Sequence, residues 1–359
     1  MKKLKNIPDN SNGLVLKPKE LAVTVAAVLL LTLAVLPYCW QKFRRAQIPR
    51  GFRLSEKLRD DYYGYRMVAR AVCAKYPAVF LGDSVIWGMY VGNENTLPEL
   101  LNARFGRDEI GNLAVDGLHP VAMEKLLGAH GGDITGKRVY LYWNPLWMNT
   151  PLYDLSGEEK FSINHPRLLP QFDRSFGSYR AGVGERWSAF LEQSVAFCAW
   201  LRHFRAVHCG NRDIKKVIAA GDELSEYDPA KKLVRVRGAL SWKVKRIPVQ
   251  DWPWVATKDS RQYAAFRRVI ALLQKRGNHV TVVLGTVNPH MQTPESLARY
   301  RKLRAEVKTD LQKSKVAVID LPELESREYA DASHPLADGY RKLADFMVKQ
   351  LDPERSNTK

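Results

Sequence analysis

Cysteine is scarce in this chain of 359 residues, which contains four in all. None of them forms a Cys-x-x-Cys pair, the spacing typical of structural zinc sites, so we expect neither a metal nor another cofactor. Cys39 and Cys73 stand far from the other cysteines, whereas Cys198 and Cys209 are near enough in sequence to pair in an oxidising compartment. The sequence leaves that pairing open.

Acidic residues are also in deficit. The 38 Asp and Glu residues face 56 Lys and Arg residues, which gives a formal net charge of +18. Much of this charge falls on predicted surface helices, such as residues 299–304. Basic side chains in such helices usually do no more than face the solvent. The sharper alternative is attraction to anionic lipid headgroups or acidic glycans. We expect no nucleic-acid partner, because the segment described next points to a membrane.

Charge is absent altogether from residues 21–40. As a helix, this segment would be about 30 Å long, the thickness of a bilayer core. We predict a membrane-spanning helix at 21–40 after a tail at 1–20, and not a cleaved signal, because no small-x-small site follows. Basic residues flank both ends equally, so they do not fix the orientation. We expect a single-pass inner-membrane protein with its body on the extracytoplasmic side.

Short apolar runs then alternate with helical patterns. A linker and a helix at 41–77 come first, and a single domain at 78–350 follows, with a short tail at 351–359. Strands are predicted at 79–81, 110–115, 138–143, 280–284 and 316–321, and helices at 120–129, 260–275, 294–313 and 339–351. Strands separated by helices indicate an α/β fold with a parallel five-stranded sheet and right-handed crossovers.

Residues 146–258 break this rhythm, being rich in Trp, Pro and basic residues. We predict a helix at 186–206 and a hairpin of 233–237 with 242–245, whose basic face would carry Arg235, Arg237, Lys243 and Lys245. The segment is interpreted as a large insertion, or cap, over a site. The alternative is simply additional fold.

Two short motifs far apart in the chain carry the chemistry. Gly82-Asp83-Ser84 ends the first apolar run, and Asp331-Ala-Ser-His334 precedes the last helix. A serine on a tight strand-to-helix turn, with a distant Asp and His, is the minimum set for nucleophilic acyl chemistry. The carboxyl ends of parallel strands meet at one edge of a sheet. The residues predicted just past strand ends are Ser84, Gly117, Asn144, Asn288 and the pair Asp331 and His334.

These blocks, taken in order, resemble the SGNH (GDSL-type) hydrolase superfamily. The nucleophile block is Gly82-Asp83-Ser84, the second is Asn112-Leu-Ala-Val-Asp-Gly117, the third ends at Asn144, and the last is Asp331-Ala-Ser-His334-Pro335. The resemblance covers about 78–145 and 260–350, and implies a three-layer, flavodoxin-like sandwich. The chain departs from the family pattern at Val85, at Tyr142, where the third block normally has a glycine two residues before its asparagine, and at Pro145, where an aspartate often follows.

A second segment, Asp116-Gly-Leu-His119-Pro120, matches the terminal Asp-x-x-His-Pro pattern at least as well by letter. It follows the second strand, where the family places its glycine. Residues 331–335 follow the fifth strand and lead into an amphipathic helix, as the family pattern does. We therefore assign the triad to Asp331 and His334, and keep His119 as a residue that lines the pocket.

The resemblance implies a role for each matched residue. Ser84 would be the nucleophile, His334 the general base and Asp331 its orienting carboxylate, while the N–H groups of Ser84 and Gly117 and the amide of Asn144 would form the oxyanion hole. Further substrate-lining candidates are Trp87, His119, Trp143, Trp147, Asn288 and His290.

The activity expected from the resemblance is that of a membrane-tethered serine esterase or O-acetyltransferase, acting on acyl esters of a cell-envelope glycan. Water would resolve the acyl-enzyme in the first case and a sugar hydroxyl in the second. A transferase would need an acyl donor from a multi-span membrane partner. The alternatives are a lipid esterase and a non-catalytic scaffold of a polysaccharide-export complex.

Overall fold

The computed structural model describes residues 16–43, 46–55, 61–173, 175–209 and 239–352. The chain divides into two compact units, Met1–Arg44 and Arg45–Lys359. In the first unit, helix α1 (Pro18–Leu30) passes through a π-helical turn (Leu31–Val35) into α2 (Leu36–Phe43). The stretch Pro18–Trp40 is long and apolar enough to cross a membrane. This supports the prediction of a spanning helix at 21–40 by length and composition.

The second unit is built on five parallel strands in the order β2-β1-β3-β4-β5. The strands are β1 (Ala78–Leu81), β2 (Ile110–Asn112), β3 (Arg138–Trp143), β4 (His279–Leu284) and β5 (Ala317–Asp320). All five were predicted from the sequence, because buried parallel strands form short, nearly continuous apolar runs. The strand order is that of a flavodoxin-like sheet, which confirms the expected fold.

Helices cover both faces of the sheet. The helices are α3 (Tyr62–Lys75), α4 (Ser84–Trp87), α5 (Leu97–Phe105), α6 (Pro120–His130), α7 (Val183–Ser194), α8 (Ala196–Cys209), α9 (Arg261–Lys275), α10 (Pro294–Lys313) and α11 (Ala337–Leu351). On one face α5 packs against α11, and on the other α6 packs against α3 and α9. Their apolar faces and the strands between them form one continuous core. The result is the predicted three-layer sandwich.

The strand register brings the functional loops to one edge of the sheet. Leu81 of β1 pairs with Leu141 of β3, and Leu284 of β4 pairs with Trp143 on one side and Asp320 on the other. The strands therefore end nearly level. The segments that follow them carry the predicted site residues, and all leave the sheet at its carboxyl edge.

The insertion differs from its predicted secondary structure in two places. The single helix expected at 186–206 is two helices, α7 and α8, which separate at Val195. The hairpin is wrong: residues 242–246 form turns and not a strand, and 233–237 lie outside the described residues. Cys198 and Cys209 lie on α8 about three turns apart, too far to form a disulfide with each other.

Candidate active site

The nucleophile turn is set by three consecutive residues after β1. Asp83 is the N-cap of α4, and its Oδ1 accepts a hydrogen bond from the N–H of Val85 at 3.0 Å. Ser84 is the first residue of that helix, so its own N–H has no partner within the helix. A Cβ on Gly82 would lie 2.7 Å from the Ile86 side chain and 3.0 Å from that of Tyr142, so only glycine fits there.

Ser84, His334 and Asp331 form a continuous hydrogen-bonded chain. The Ser84 hydroxyl lies 2.8 Å from Nε2 of His334. On the other side of the ring, Nδ1 of His334 lies 2.8 Å and 2.9 Å from the two carboxylate oxygens of Asp331. The nucleophile–base–carboxylate order is the one predicted. Its geometry places the serine proton within reach of the imidazole.

The loop that carries Asp331 and His334 is closed by its own backbone. The N–H groups of Ser333 and His334 each donate to Asp331 Oδ1 at 3.0 Å, and the N–H of Ala330 donates to the His334 carbonyl at 2.8 Å. Asn288, buried after β4, donates from Nδ2 to the Asp331 carbonyl at 3.3 Å. Asn288 therefore positions the loop and does not line an open pocket.

These contacts lower the pKa of Asp331 and raise the pKa of His334. Burial alone would raise the pKa of Asp331, but the hydrogen bond and charge of His334, with the two backbone N–H donors, hold it down at about 2. Burial alone would lower the pKa of His334, but the Asp331 hydrogen bond and charge, together with Asp83 and Asp116, raise it above its ordinary value. The pair is thereby arranged to hold a proton on the imidazole.

Gly117 offers a backbone donor beside the serine. Its φ of +69° lies in the left-handed region that favours glycine, and a Cβ there would stand 2.9 Å from the amide nitrogen of Asn164. In the part of the chain that the structure describes, the Gly117 N–H makes no hydrogen bond. The loop is held by the insertion, because His165 Nε2 lies 2.7 Å from the Asp116 carbonyl oxygen.

Asn144 is tied to the nucleophile block through Asp83. Its Nδ2 donates to Asp83 Oδ2 at 2.7 Å, and its Oδ1 accepts from the N–H of Leu146 at 3.0 Å. The indole N–H of Trp147 donates to the same Asp83 oxygen at 2.8 Å. Burial raises the pKa of Asp83, against the opposing effect of these hydrogen bonds. One amide hydrogen of Asn144 is thus committed to Asp83, and the amide carries a second.

The blocks, the strand order and the triad geometry now coincide. The fold is the α/β sandwich with a parallel five-stranded sheet that the resemblance to SGNH hydrolases implied. No protein-family model and no curated protein matches the sequence. Several solved structures are similar to the chain at low identity. One is a family two carbohydrate esterase from Clostridium thermocellum in complex with cellohexaose, with 10% identity, 78% of this chain and 65% of that chain covered, and a TM-score of 0.34.

A carbohydrate acetylesterase family member from Sinorhizobium meliloti shares 10% identity over 76% of this chain and 98% of its own, with a TM-score of 0.33. A protein of the G-D-S-L family from Desulfitobacterium hafniense DCB-2 shares 10% identity over 76% and 97% of the two chains, with a TM-score of 0.36. At these scores the similarity supports no functional inference. The chemistry of the site is therefore inferred from the arrangement of its own residues.

The two departures from the SGNH pattern at the third block have structural reasons. Tyr142 is buried, and its hydroxyl occupies space beside Gly285, where a Cβ would stand 2.2 Å from it. Pro145 is the first residue of a 3₁₀ turn, Pro145–Met148, for which Asn144 is the N-cap. Both substitutions leave the Asn144 amide beside Asp83.

Several residues expected to line the pocket are core residues instead. Trp143 is 1% exposed and Trp87 is 4% exposed, and the Trp87 indole donates to the Leu54 carbonyl at 2.7 Å. Arg53 stacks over the Trp87 ring and donates to the Gly88 carbonyl at 2.6 Å. Arg53 and Leu54, which precede α3, therefore hold α4 in place. The basic composition of this segment did not predict that role.

The two remaining histidine candidates are hydrogen-bonded to other segments and not to the serine. His119 is buried as the N-cap of α6, with Nδ1 accepting from Ala122 and Nε2 lying 3.0 Å from the Asn164 carbonyl oxygen. Burial lowers the pKa of His119 to about 3, so it is neutral. Its ring meets the edge of Trp147, which is itself mostly buried. His290 is exposed and faces the Leu324 carbonyl, not the triad.

Sequence reasoning missed two residues that border the triad. The Tyr90 ring meets the His334 ring edge to face, with centroids 5.5 Å apart. The ammonium of Lys245, from the insertion, stands 4.0 Å from the centre of the Tyr90 ring. The basic pattern at 242–245 was the only available signal for Lys245. Within the described ranges, no group of three His, Cys, Asp or Glu side chains could hold a metal ion.

Proposed function

We propose that this protein is a membrane-tethered serine esterase that removes acyl groups, in particular acetyl groups, from a cell-envelope glycan. The observation that carries the proposal is the hydrogen-bonded chain from Ser84 through His334 to Asp331, with a 2.8 Å contact between hydroxyl and imidazole. A buried serine at a helix N-terminus is common. A serine that shares a histidine with a low-pKa carboxylate is the arrangement required for nucleophilic catalysis.

The reaction follows from this geometry. Ser84 Oγ attacks the ester carbonyl carbon while Nε2 of His334 takes the hydroxyl proton. The tetrahedral intermediate collapses, the C–O bond to the sugar breaks, and the imidazolium returns the proton to the leaving alkoxide. Water then attacks the acyl-enzyme with His334 as base, which releases the carboxylic acid and restores Ser84. Asp331 holds the imidazole in orientation and stabilises its cation throughout.

Three donors would stabilise the negative charge that develops on the carbonyl oxygen. They are the N–H of Ser84, the N–H of Gly117 and the second amide hydrogen of Asn144. Each lies on a segment that follows a different strand and leaves the sheet at its carboxyl edge. Removing one donor of this kind typically costs about 100- to 1,000-fold in rate.

The surroundings of the serine support a sugar ester over a long-chain lipid ester. Tyr90 packs against His334 and Asp116 acts on its charge, while Asn164 lies beside Gly117 and Lys245 beside Tyr90; all four side chains are polar, charged or aromatic with a polar tip. Sugars are recognised by hydrogen-bonding groups and ring faces, whereas an acyl chain needs an apolar channel. Ser84 itself is only 7% exposed, which favours a small acyl group.

The tether in this proposal is the segment 21–40, with the body on the extracytoplasmic side. In sequence, residues 44–45 separate the end of α2 from Ala46, which packs against the core of the second unit. Such a tether would attach the esterase to the membrane, where envelope glycans are made and modified.

The test is acetate release by the full-length protein in nanodiscs. We expect hydrolysis of O-acetylated oligosaccharides at a rate at least tenfold above that of phospholipid esters, and loss of activity in Ser84→Ala. The half-exposed Ser188, on α7, provides a matched control, because Ser188→Ala leaves the triad intact. Activity that survives in Ser84→Ala, or a preference for the lipid ester, would contradict the proposal.

A further inference from the structure

A turn of the insertion, residues 242–246, carries three cations, of which Lys245 contacts the Tyr90 ring that packs against His334. Lys243, Lys245 and Arg246 fall within four consecutive residues of this turn. The turn is held by Trp242, whose backbone N–H donates to the Tyr329 carbonyl at 3.1 Å and whose indole donates to the Ser326 carbonyl at 3.0 Å. Its anchor is therefore the same segment that leads into Asp331.

Tyr90 connects this turn to the catalytic histidine. One side of the contact is the edge-to-face arrangement with His334, and the other is the Lys245 ammonium at 4.0 Å from the ring centre. Tyr90 has a φ of +67°, in the left-handed region that bulky residues rarely adopt. A strained residue held between a base and a cation is typical of a functional position.

The cations of the turn have no counter-ion among the residues that the structure describes. Lys243 and Lys245 make ring contacts only, with Trp242 and Tyr90, and Arg246 is exposed. Some other surface cations are paired: Lys308 lies 2.8 Å from Asp320, and Arg301 lies 3.1 Å from Glu323. A half-buried ammonium without a carboxylate partner favours a negatively charged ligand.

The carboxylates near the triad would disfavour an anionic substrate unless a cation offset their charge. Asp83, Asp116 and Asp331 all act on the charge of His334. An acidic substrate would approach these negative charges and be repelled. The ammonium of Lys245, which lies over the Tyr90 ring, would offset this repulsion.

Resting on the esterase function proposed above, we infer that the site selects esters of an acidic glycan, and that Lys245 binds the negative charge of the substrate. The ligand chemistry is a carboxylate or phosphate group on the acylated sugar or its neighbour. Contacts run from the Lys245 ammonium through the Tyr90 ring and the His334 ring to the Ser84 hydroxyl. Lys245 is thus a specificity-determining residue.

The test compares three O-acetylated oligosaccharides of equal length and acetylation, with the full-length protein in nanodiscs. One carries carboxylates, one carries phosphates and one is neutral. We expect kcat/KM for at least one acidic substrate to exceed that for the neutral one. We expect Lys245→Gln to reduce this ratio about five- to tenfold, as loss of one partly buried charge pair would. Lys245→Arg should retain most of the ratio, and Lys245→Glu should reverse it.

The matched control is Lys302→Gln, an exposed lysine on α10, which should keep the wild-type ratio. Equilibrium binding of the deacetylated oligosaccharides to Ser84→Ala separates recognition from turnover and should show the same dependence on Lys245. Added salt should weaken the preference, since it screens exposed charges. Whichever acidic substrate shows the larger ratio identifies the group that Lys245 binds.

Equal activity on acidic and neutral substrates, or a ratio unchanged in Lys245→Gln, would overturn the inference while leaving the esterase intact. A preference for anionic phospholipid vesicles over every oligosaccharide would also overturn it. Failure of Ser84 to turn over or to form an acyl-enzyme with any ester would instead remove the proposed function itself. The two failures are therefore distinguishable.

Discussion

Asn144 donates a hydrogen bond to Asp83 at 2.7 Å, joining the end of β3 to the residue before the nucleophile. Trp147 donates to the same carboxylate oxygen, and the N–H of Val85 donates to the other. Asp83 thus accepts three hydrogen bonds in the core of the site. It fixes the start of α4 and the orientation of the Asn144 amide at once, although it contacts no reacting atom.

Asn144→Ala should lower kcat by about 100- to 1,000-fold with a smaller effect on KM, because it removes a donor used mainly in the transition state. Steady-state kinetics on an acetylated oligosaccharide measure this directly. Asn95→Ala, in a 3₁₀ turn away from the triad, is the matched control and should behave as wild type. A normal kcat in Asn144→Ala would exclude the amide from the oxyanion hole.

Asp83→Asn should act through Asn144 and through His334. A neutral amide accepts the Trp147 and Asn144 donors less well, so we expect kcat to fall about tenfold or more. It also removes a negative charge that raises the pKa of His334, so the acidic limb of the pH–rate profile should move to lower pH. A fall in kcat with an unmoved limb would indicate that Asp83 has only a structural role.

The pH dependence of the wild-type enzyme follows from the same histidine. His334 must be neutral to accept the serine proton, and its pKa lies above the ordinary value for histidine. Activity should therefore be full above that raised pKa and should fall as the pH drops through it. In Asp331→Asn the limb should shift to lower pH and the plateau should fall by about 10⁴-fold. A pH–rate profile of kcat/KM for both proteins tests this.

His119 makes a separate prediction about acid stability. Its pKa is about 3 in the folded protein and about 6.5 when exposed, so the unfolded chain binds this proton first. Its contribution to stability should be complete above about pH 6.5 and should fall with pH, at up to about 1.4 kcal/mol per pH unit, until about pH 3.

The slope of unfolding free energy against pH, measured by denaturant titration, should become shallower in His119→Gln. It should remain unchanged in His290→Gln, which alters an exposed histidine. An unchanged slope in His119→Gln would show that the imidazole is protonated in the folded state.

The strands and the triad were predictable because their signals are local or ordered along the chain. A buried parallel strand is a short apolar run, and a block such as Gly82-Asp83-Ser84 needs only that run before it. The predicted 110–115 strand ends early, at Asn112, because the Asn112 side chain accepts from Ala114 and donates to the Ile86 carbonyl. Such side-chain bonds end a strand without a signal in the apolar pattern.

What the sequence could not supply were contacts between distant segments. Trp87 and Trp143 have the composition of ligand-stacking residues, but their direction into the core depends on Arg53, Leu54 and the sheet. Tyr90 and Lys245 lie far apart in the chain and meet only in the fold. The single predicted helix is two helices, α7 and α8, because the backbone is extended at Val195.

The most direct test of the account is covalent labelling of Ser84 by a fluorophosphonate, which reports an activated serine without knowledge of the substrate. The full-length protein should be labelled at Ser84, as mass spectrometry of the peptide would show. Labelling should be lost in Ser84→Ala and strongly slowed in His334→Ala, and it should persist in Ser188→Ala. A wild-type protein that stays unlabelled, or is labelled equally fast in His334→Ala, would contradict a Ser84–His334–Asp331 catalytic triad.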